Sequence, residues 1–428
     1  MFSCSSRDKK EIPVLNMTFT TSIAIYFLEK DTISIERFNN SAKSILPEFI
    51  LSDSIVELIT HDGYYIEYIK NPSQDLPPPD SSYLSQVGKD LSVEEKVALQ
   101  NAAGALSITF FGTKENVIEK QKKISKLIDF VSEGRNVIVA DYNTIEFFNP
   151  GSWKANRVNN FSGEHKDVTG QVSIHLYREN EFCRAVTLGM NKFCLPDISV
   201  KDISCRDQQT FGNLINAVAQ TLFENQIIHE DSTLLIDLQK IKNDQVRNEL
   251  TTDLKANAKK NTEIKLKTVI PEEGDNINTQ FLIVFNDPKF SSAQEEQTET
   301  LKNLFGTEES MTYTDHDPEI LEASEKARLR LPELKTKFNK GLEPGYSILV
   351  KAPFKTDEGG REWMWLEITK WENEFITGIL QNEPFKIANL KAGSIVNANE
   401  KDIFDYILYK PDGTSEGNET GKILEKRN

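Results

Sequence analysis

Three cysteines stand eleven residues apart, at 183, 194 and 205, and a fourth stands at position 4. Thiolates are nucleophiles and metal ligands, so their surroundings decide what they can do. Without a CxxC or a flanking His pair, the three do not form a zinc site. Two readings stand: a disulfide between two of them if the chain is exported, or small buried hydrophobes. His175 lies near Cys183 and Cys194 in sequence. A thiolate needs a base beside it, so a Cys–His pair using Cys194 is one catalytic option. The other histidines, at 61, 165, 229 and 316, are scattered. Asp315-His316-Asp317 is the one place where a cation site can be argued, but it lacks the glycine turn and distal glutamate of a calcium loop. An aspartate capping a helix that begins at Pro318 explains it better. The zinc, acyl-transfer and phosphate-loop motifs HExxH, GxSxG, GxxxxGK[ST] and GxGxxG after a strand are absent. The common catalytic devices they encode are therefore not expected, and neither is a cofactor.

Recognition is the remaining chemistry. Three of the four tryptophans, Trp363, Trp365 and Trp371, fall within nine positions in EWMWLEITKW. Indoles offer large rigid contact area with one donor. In a strand, Trp363 and Trp365 share one side while Met364, Leu366 and Ile368 share the other. Either the indoles pack beneath a helix at 318–338, or they line a groove. Trp371, beside the turn Glu372-Asn373-Glu374, is expected to be the most exposed. Lys351 and Glu362 sit in successive strands and are expected to form a cross-strand ion pair. These five residues are the candidate binding set.

A scaffold must position them, and 428 residues are too many for one core. The patterning predicts an α+β protein: two mixed α/β sandwich-like domains followed by a small, mainly β, barrel-like domain with an N-terminal helix. Residues 1–17 read as a disordered tether, 18–160 as the first domain and 165–290 as the second. An acidic linker spans 291–317, and the last domain spans 318–425. In the first domain the helices are expected to cover one sheet face. A helix carries Val117, Ile124, Leu127, Ile128 and Val131 on one stripe, Ser92-Val-Glu-Glu95 is a capping box, and His61-Asp62-Gly63 is a hairpin turn. The proline-rich stretch 71–82 reads as a solvated loop. In the second domain a turn at Glu179-Asn180-Glu181 joins two strands, and Phe211, Leu214, Ile215, Val218 and Leu222 line a helix.

With 50 Lys and Arg against 66 Asp and Glu, the chain carries a net charge of −16. No basic stripe is present to displace counterions, so nucleic-acid binding and docking on anionic lipid are not expected. Nothing approaches an 18-residue apolar run, so no transmembrane span is expected. The start, MFSCSSRDKKEIPVL, has no signal-peptide character as written. Cys4 would be a lipid-anchored first residue if translation began upstream; otherwise the protein is cytoplasmic.

The segment from about 315 to 425 resembles the YegJ-like family, a small bacterial domain of unknown function. The likeness rests on Val350-Lys351, Phe354, Gly359-Gly360, Glu362-Trp363-Met364-Trp365, Gly378, Asn382-Glu-Pro384, Gly393, Asp405-Tyr406 and the Gly417–Gly421 tail. The resemblance implies no activity, cofactor or catalytic residue; stand-alone members look exported, which favours the lipoprotein reading of Cys4. TLGMNKFCLPD (187–197) is similar to a Thr-x-Gly-Leu-x-x-Phe-Gly-x-Pro-Glu phrase in other uncharacterised bacterial α+β proteins, with Cys194 where glycine is expected. The functional expectation is a non-catalytic protein that binds another protein or a cell-envelope ligand. The alternatives are a hydrolase using a carboxylate or Cys194, and an acidic immunity-type inhibitor of a toxin.

Overall fold

The computed structural model describes residues 11–29, 32–54, 61–179, 182–255, 257–306 and 318–426. Outside them lie Cys4, Asp315-His316-Asp317, the apolar run 56–60 expected to enter the His61-Asp62-Gly63 hairpin, and Asn180-Glu181. Within them the chain is mixed α/β and builds three larger sheets, none closed into a barrel.

The first sheet has seven strands in the order Ile50–Leu51, Gly63–Ile69, Gly104–Thr113, Thr18–Phe27, Val137–Asp141, Glu146–Phe148, Gly88–Lys89. Its central strand is apolar on both sides, so both faces must be covered. Ile23, Ile25 and Phe27 pack with Phe38 and the stripe of the helix Val117–Ser132. Ala24 and Tyr26 pack on the other face with Leu84, Val87, Leu91 and Leu99. The expectation of one covered face is thus corrected. The proline-rich stretch is also held down: the Tyr26 hydroxyl donates to the Leu76 carbonyl at 2.9 Å, and Gln100 Nε2 donates to the Pro79 carbonyl at 2.7 Å. The capping box forms at Ser92 and Glu95, and its helix ends at Gln100.

The second sheet runs Thr233–Asp237, Asn261–Val269, Gln280–Val284, Asp197–Ile203, Phe182–Leu188, Ser173–Glu179. Only the Asp197–Ile203 and Gln280–Val284 pair is parallel. The helix Gln208–Asn225 buries the predicted stripe against this sheet. The stretch expected as an acidic linker contains a further helix, Ala293–Phe305. Leu301, Leu304 and Phe305 enter the same core, which anchors a segment whose other faces are acidic.

These two units share a boundary. Glu11–Pro13, expected as tether, pairs with Ile227–His229 of the second unit before the chain enters the first sheet. Asn16 N–H then donates to the Cys194 carbonyl at 2.7 Å, and the Cys194 side chain packs in the first unit's core.

The third sheet is antiparallel throughout, in the order Ile395–Asn399, Phe375–Leu380, Arg361–Glu372, Ser347–Lys355, Asp405–Tyr409, Ser415–Gly417. The region is sheet-rich as expected, but the sheet is open. One face carries the helix Pro318–Asn339. Ala327, Leu331 and Leu334 pack there on Met364, Leu366 and Ile368.

Candidate binding surface

The helix occupies the aliphatic side of the tryptophan strand, so Trp363, Trp365 and Glu367 project from the other face. Cross-strand pairing sets Pro353 opposite Trp363, Lys351 opposite Trp365 and Leu349 opposite Glu367. On the next strand Asp405 stands opposite Lys351, and Ile407 opposite Leu349. This face divides in two.

In one half Glu367 is 4% exposed, flanked by buried Leu349, Ile379 and Ile407. It meets the loop Ser204–Asp207 of the second unit. The Ser204 hydroxyl donates to Glu367 Oε2, and the Arg206 N–H donates to Oε1 at 3.1 Å. The Arg206 guanidinium points elsewhere, donating to Gln381 Oε1 and lying 5.2 Å from the Tyr409 ring centroid. Arg178 Nη2 donates to the Tyr346 carbonyl at 3.2 Å. Glu367 is pushed up to about 7 by burial and then by the Asp207 carboxylate, against the Ser204 hydrogen bond, the nearby Arg206 charge and the Arg206 N–H. The Cys183–Cys205 disulfide pins the root of the same loop.

In the other half, Trp363 and Trp365 are half-buried. The Trp363 ring lies 4.6 Å from that of Phe404, and the Lys351 ammonium lies 5.6 Å from the Trp365 centroid. Burial lowers the Lys351 ammonium, and Asp405 partly opposes this. Asp405 is fully buried and accepts from Thr420 N–H, Thr420 hydroxyl and Tyr406 N–H at 2.9, 2.6 and 2.8 Å. The Trp365 backbone N–H donates to Asn382 Oδ1 at 2.6 Å. Two indoles on one strand and an ammonium on the next are thus held side by side.

Trp371 does not join them. A bulge between Ile368 and Lys370 breaks the alternation and turns Trp371 onto the helix face, opposite Ile376. It is 2% exposed, and its Nε1 donates to Glu400 Oε2 at 3.0 Å. The expectation of an exposed Trp371 is therefore corrected. Gly378 pairs with Ile368 at the bulge, where a Cβ would collide with the Glu367 carbonyl. The expected Lys351–Glu362 ion pair is also absent, because register sets Glu362 opposite Phe354. The Glu362 carboxylate instead accepts from the N–H groups of Phe385 and Lys386 at 2.8 and 3.0 Å.

The residues that suggested nucleophilic chemistry are otherwise engaged. Cys183 and Cys205 are bonded to each other. Cys194 is fully buried, and burial pushes its thiol up to about 12, away from thiolate reactivity. Its φ of 59° is left-handed, which accounts for the glycine expected at that position. His175 Nε2 lies 3.2 Å from the Thr144 carbonyl and 3.1 Å from Ser173 Oγ, which itself donates to that carbonyl at 2.6 Å. A carbonyl only accepts, so Nε2 carries the proton and is not a base toward Ser173. Asp141, the most enclosed carboxylate of the first unit, contacts Lys192 Nζ at 2.7 Å and Arg157 Nε at 3.1 Å. Burial raises it, but these two cations more than offset that and hold it below the usual carboxylate range. Among the described residues no group of three or more His, Cys, Asp or Glu is arranged to hold a metal ion. None of their helices is long and apolar enough to cross a membrane.

Sequence reasoning missed Phe404 and Asp405, the half-burial of Lys351, and the Ser204–Asp207 loop. The alternation in DIFDYILYK was the available signal for the first two; a contact between units leaves no local pattern.

Residues 317–427 match the model of a family described as an uncharacterised protein conserved in bacteria, DUF2314, consistent with the YegJ-like resemblance. No curated protein and no solved structure matches the chain.

Proposed function

We propose that this chain is a non-catalytic binding protein of the bacterial cell envelope, and that it meets its partner through Trp363, Trp365 and Lys351. The observation that carries the reading is the division of the third sheet's outer face. One half is sealed against the second unit, while the other holds two half-buried indoles on one strand and an ammonium on its neighbour. Aromatic residues, tryptophan above all, are enriched at the centres of protein contacts. The partner's matching chemistry is an apolar group for the indoles and a carboxylate or carbonyl for Lys351. The Cys183–Cys205 disulfide supports an oxidising compartment, in keeping with Cys4 as a lipid-anchored residue.

The test is photo-crosslinking in the native host with a benzophenone residue at position 363, and a control at Phe130, an exposed apolar residue on the first unit. One defined adduct from 363 and none from 130 is the expected result. Adducts from 130 alone would remove the third sheet from the contact.

A further inference from the structure

A cleft of about 820 Å³ lies where the three units meet, within the range of roughly 300–1,000 Å³ typical of ligand sites. Its lining includes the consecutive residues Val172 to Tyr177. Side chains alternate between the two faces of a strand, so an unbroken run along the wall means that the cleft follows the strand's backbone edge. Ser173–Glu179 is the terminal strand of the second sheet, and its register with Phe182–Leu188 is continuous, without bulge or proline. Among the described residues, no backbone group of 173–179 bonds to any other segment. A long regular edge is ordinarily blunted, because it recruits further strands. Among the described residues this edge is enclosed instead: Tyr83 and Lys89 of the first unit wall one side, and Glu343–Gly345 of the third wall another.

We propose that this cleft is a peptide groove, in which an extended segment bearing a lysine or arginine adds a seventh strand to the Ser173–Glu179 edge. The walls set the occupant. Another sheet edge would have to bring its own neighbouring strands past them, whereas a single extended chain need not. The chain's own first described strand, Glu11–Pro13, is already paired with Ile227–His229. Main-chain hydrogen bonds along the edge give the affinity, as in other strand-addition complexes. Tyr83 and Tyr177 offer ring faces, and the Gln208 and Asn216 amides line the same space. Charge selects the basic segment. Lys89 is held by Glu146 at 3.0 Å, burial keeps His175 toward its neutral form, and Glu343 is exposed at the rim with no salt bridge among the described residues. The occupant meets an unpaired edge and a carboxylate.

The experiment selects heptapeptides with a fixed central lysine from a displayed random library on the full chain. Binding is then mapped by amide hydrogen exchange. Enriched peptides are expected to slow exchange within 173–179 and to lose binding when alternate backbone amides are N-methylated. Glu343→Lys should weaken them about tenfold, while Trp363→Ser/Trp365→Ser should leave them unchanged. Failure to enrich any peptide, or enriched peptides that protect other segments, would overturn the groove. Because the indole variant reads the other surface, the two sites fail independently.

Discussion

Two junctions hold the three units together, and Asp141 at one and Glu367 at the other are buried in opposite ways. Between the first and second units, Asp141 is enclosed with Lys192 and Arg157, and Arg157 also contacts Glu146. Both of these carboxylates have a cation. Between the second and third units, Glu367 is equally enclosed but accepts only a hydroxyl and one N–H, with Asp207 adding a like charge. A compensated network is expensive to break from one side and insensitive to mild pH. A lone buried carboxyl is cheap while protonated and costly once ionised. The first junction behaves as a fixed core, and the second as a contact whose strength follows pH.

The largest effect is expected from removing a cation at the first junction. Lys192→Met leaves Asp141 buried beside a single cation, Arg157, and is expected to lower stability by about 3–5 kcal/mol, read by urea denaturation. Loss of the disulfide in Cys183→Ser/Cys205→Ser releases the loop that meets Glu367, and about 3 kcal/mol of stability is expected to go with it. Melting with and without a reductant checks this.

Glu367 carries the pH dependence. Its docked value, about 7, lies above the ordinary carboxylate value of 4.5. Its contribution is therefore complete below about 4.5 and is lost as pH rises through 7. The third unit's docking should weaken by on the order of 2 kcal/mol between pH 5.5 and 8, seen as faster amide exchange in 347–380 and 204–207. Glu367→Gln should flatten that profile. A smaller effect is expected at the indoles: Trp363→Ser/Trp365→Ser should cost about 1 kcal/mol or less in stability per site, because neither ring is in the core. A loss as large as that of Lys192→Met would move both rings from the binding surface into the core.

What the sequence made legible was local. The stripe from Val117 to Val131, the Ser92 capping box and the Gln208–Asn225 helix follow from periodicities of a few residues, and all formed. The sidedness of Trp363 and Trp365 followed from strict alternation and held up to Ile368. It failed at Trp371 because one bulged residue reverses every side chain beyond it, and EITKW carries no mark of the bulge. The Lys351–Glu362 pairing failed for a related reason, since register depends on turn geometry at Thr356–Gly360. Ala293–Phe305 reads as acidic because Leu301, Leu304 and Phe305 are its apolar contribution to the core, while its other buried positions include Glu295 and Gln297. A disulfide was one of two readings for the cysteines, and spacing alone could not choose between them; the Glu11–Pro13 strand, the Glu367 contact and the three-unit cleft join residues far apart in sequence, and no window of sequence contains them.

The third sheet's outer face has one half sealed against the second unit and one half that carries two half-buried indoles. Hydroxyl-radical footprinting of the native chain reads all four tryptophans in one measurement. Trp363 and Trp365 should be oxidised at comparable rates, while Trp153 and Trp371, each 2% exposed, stay protected. Protection of all four, or labelling of Trp371 alongside Trp363, would contradict it.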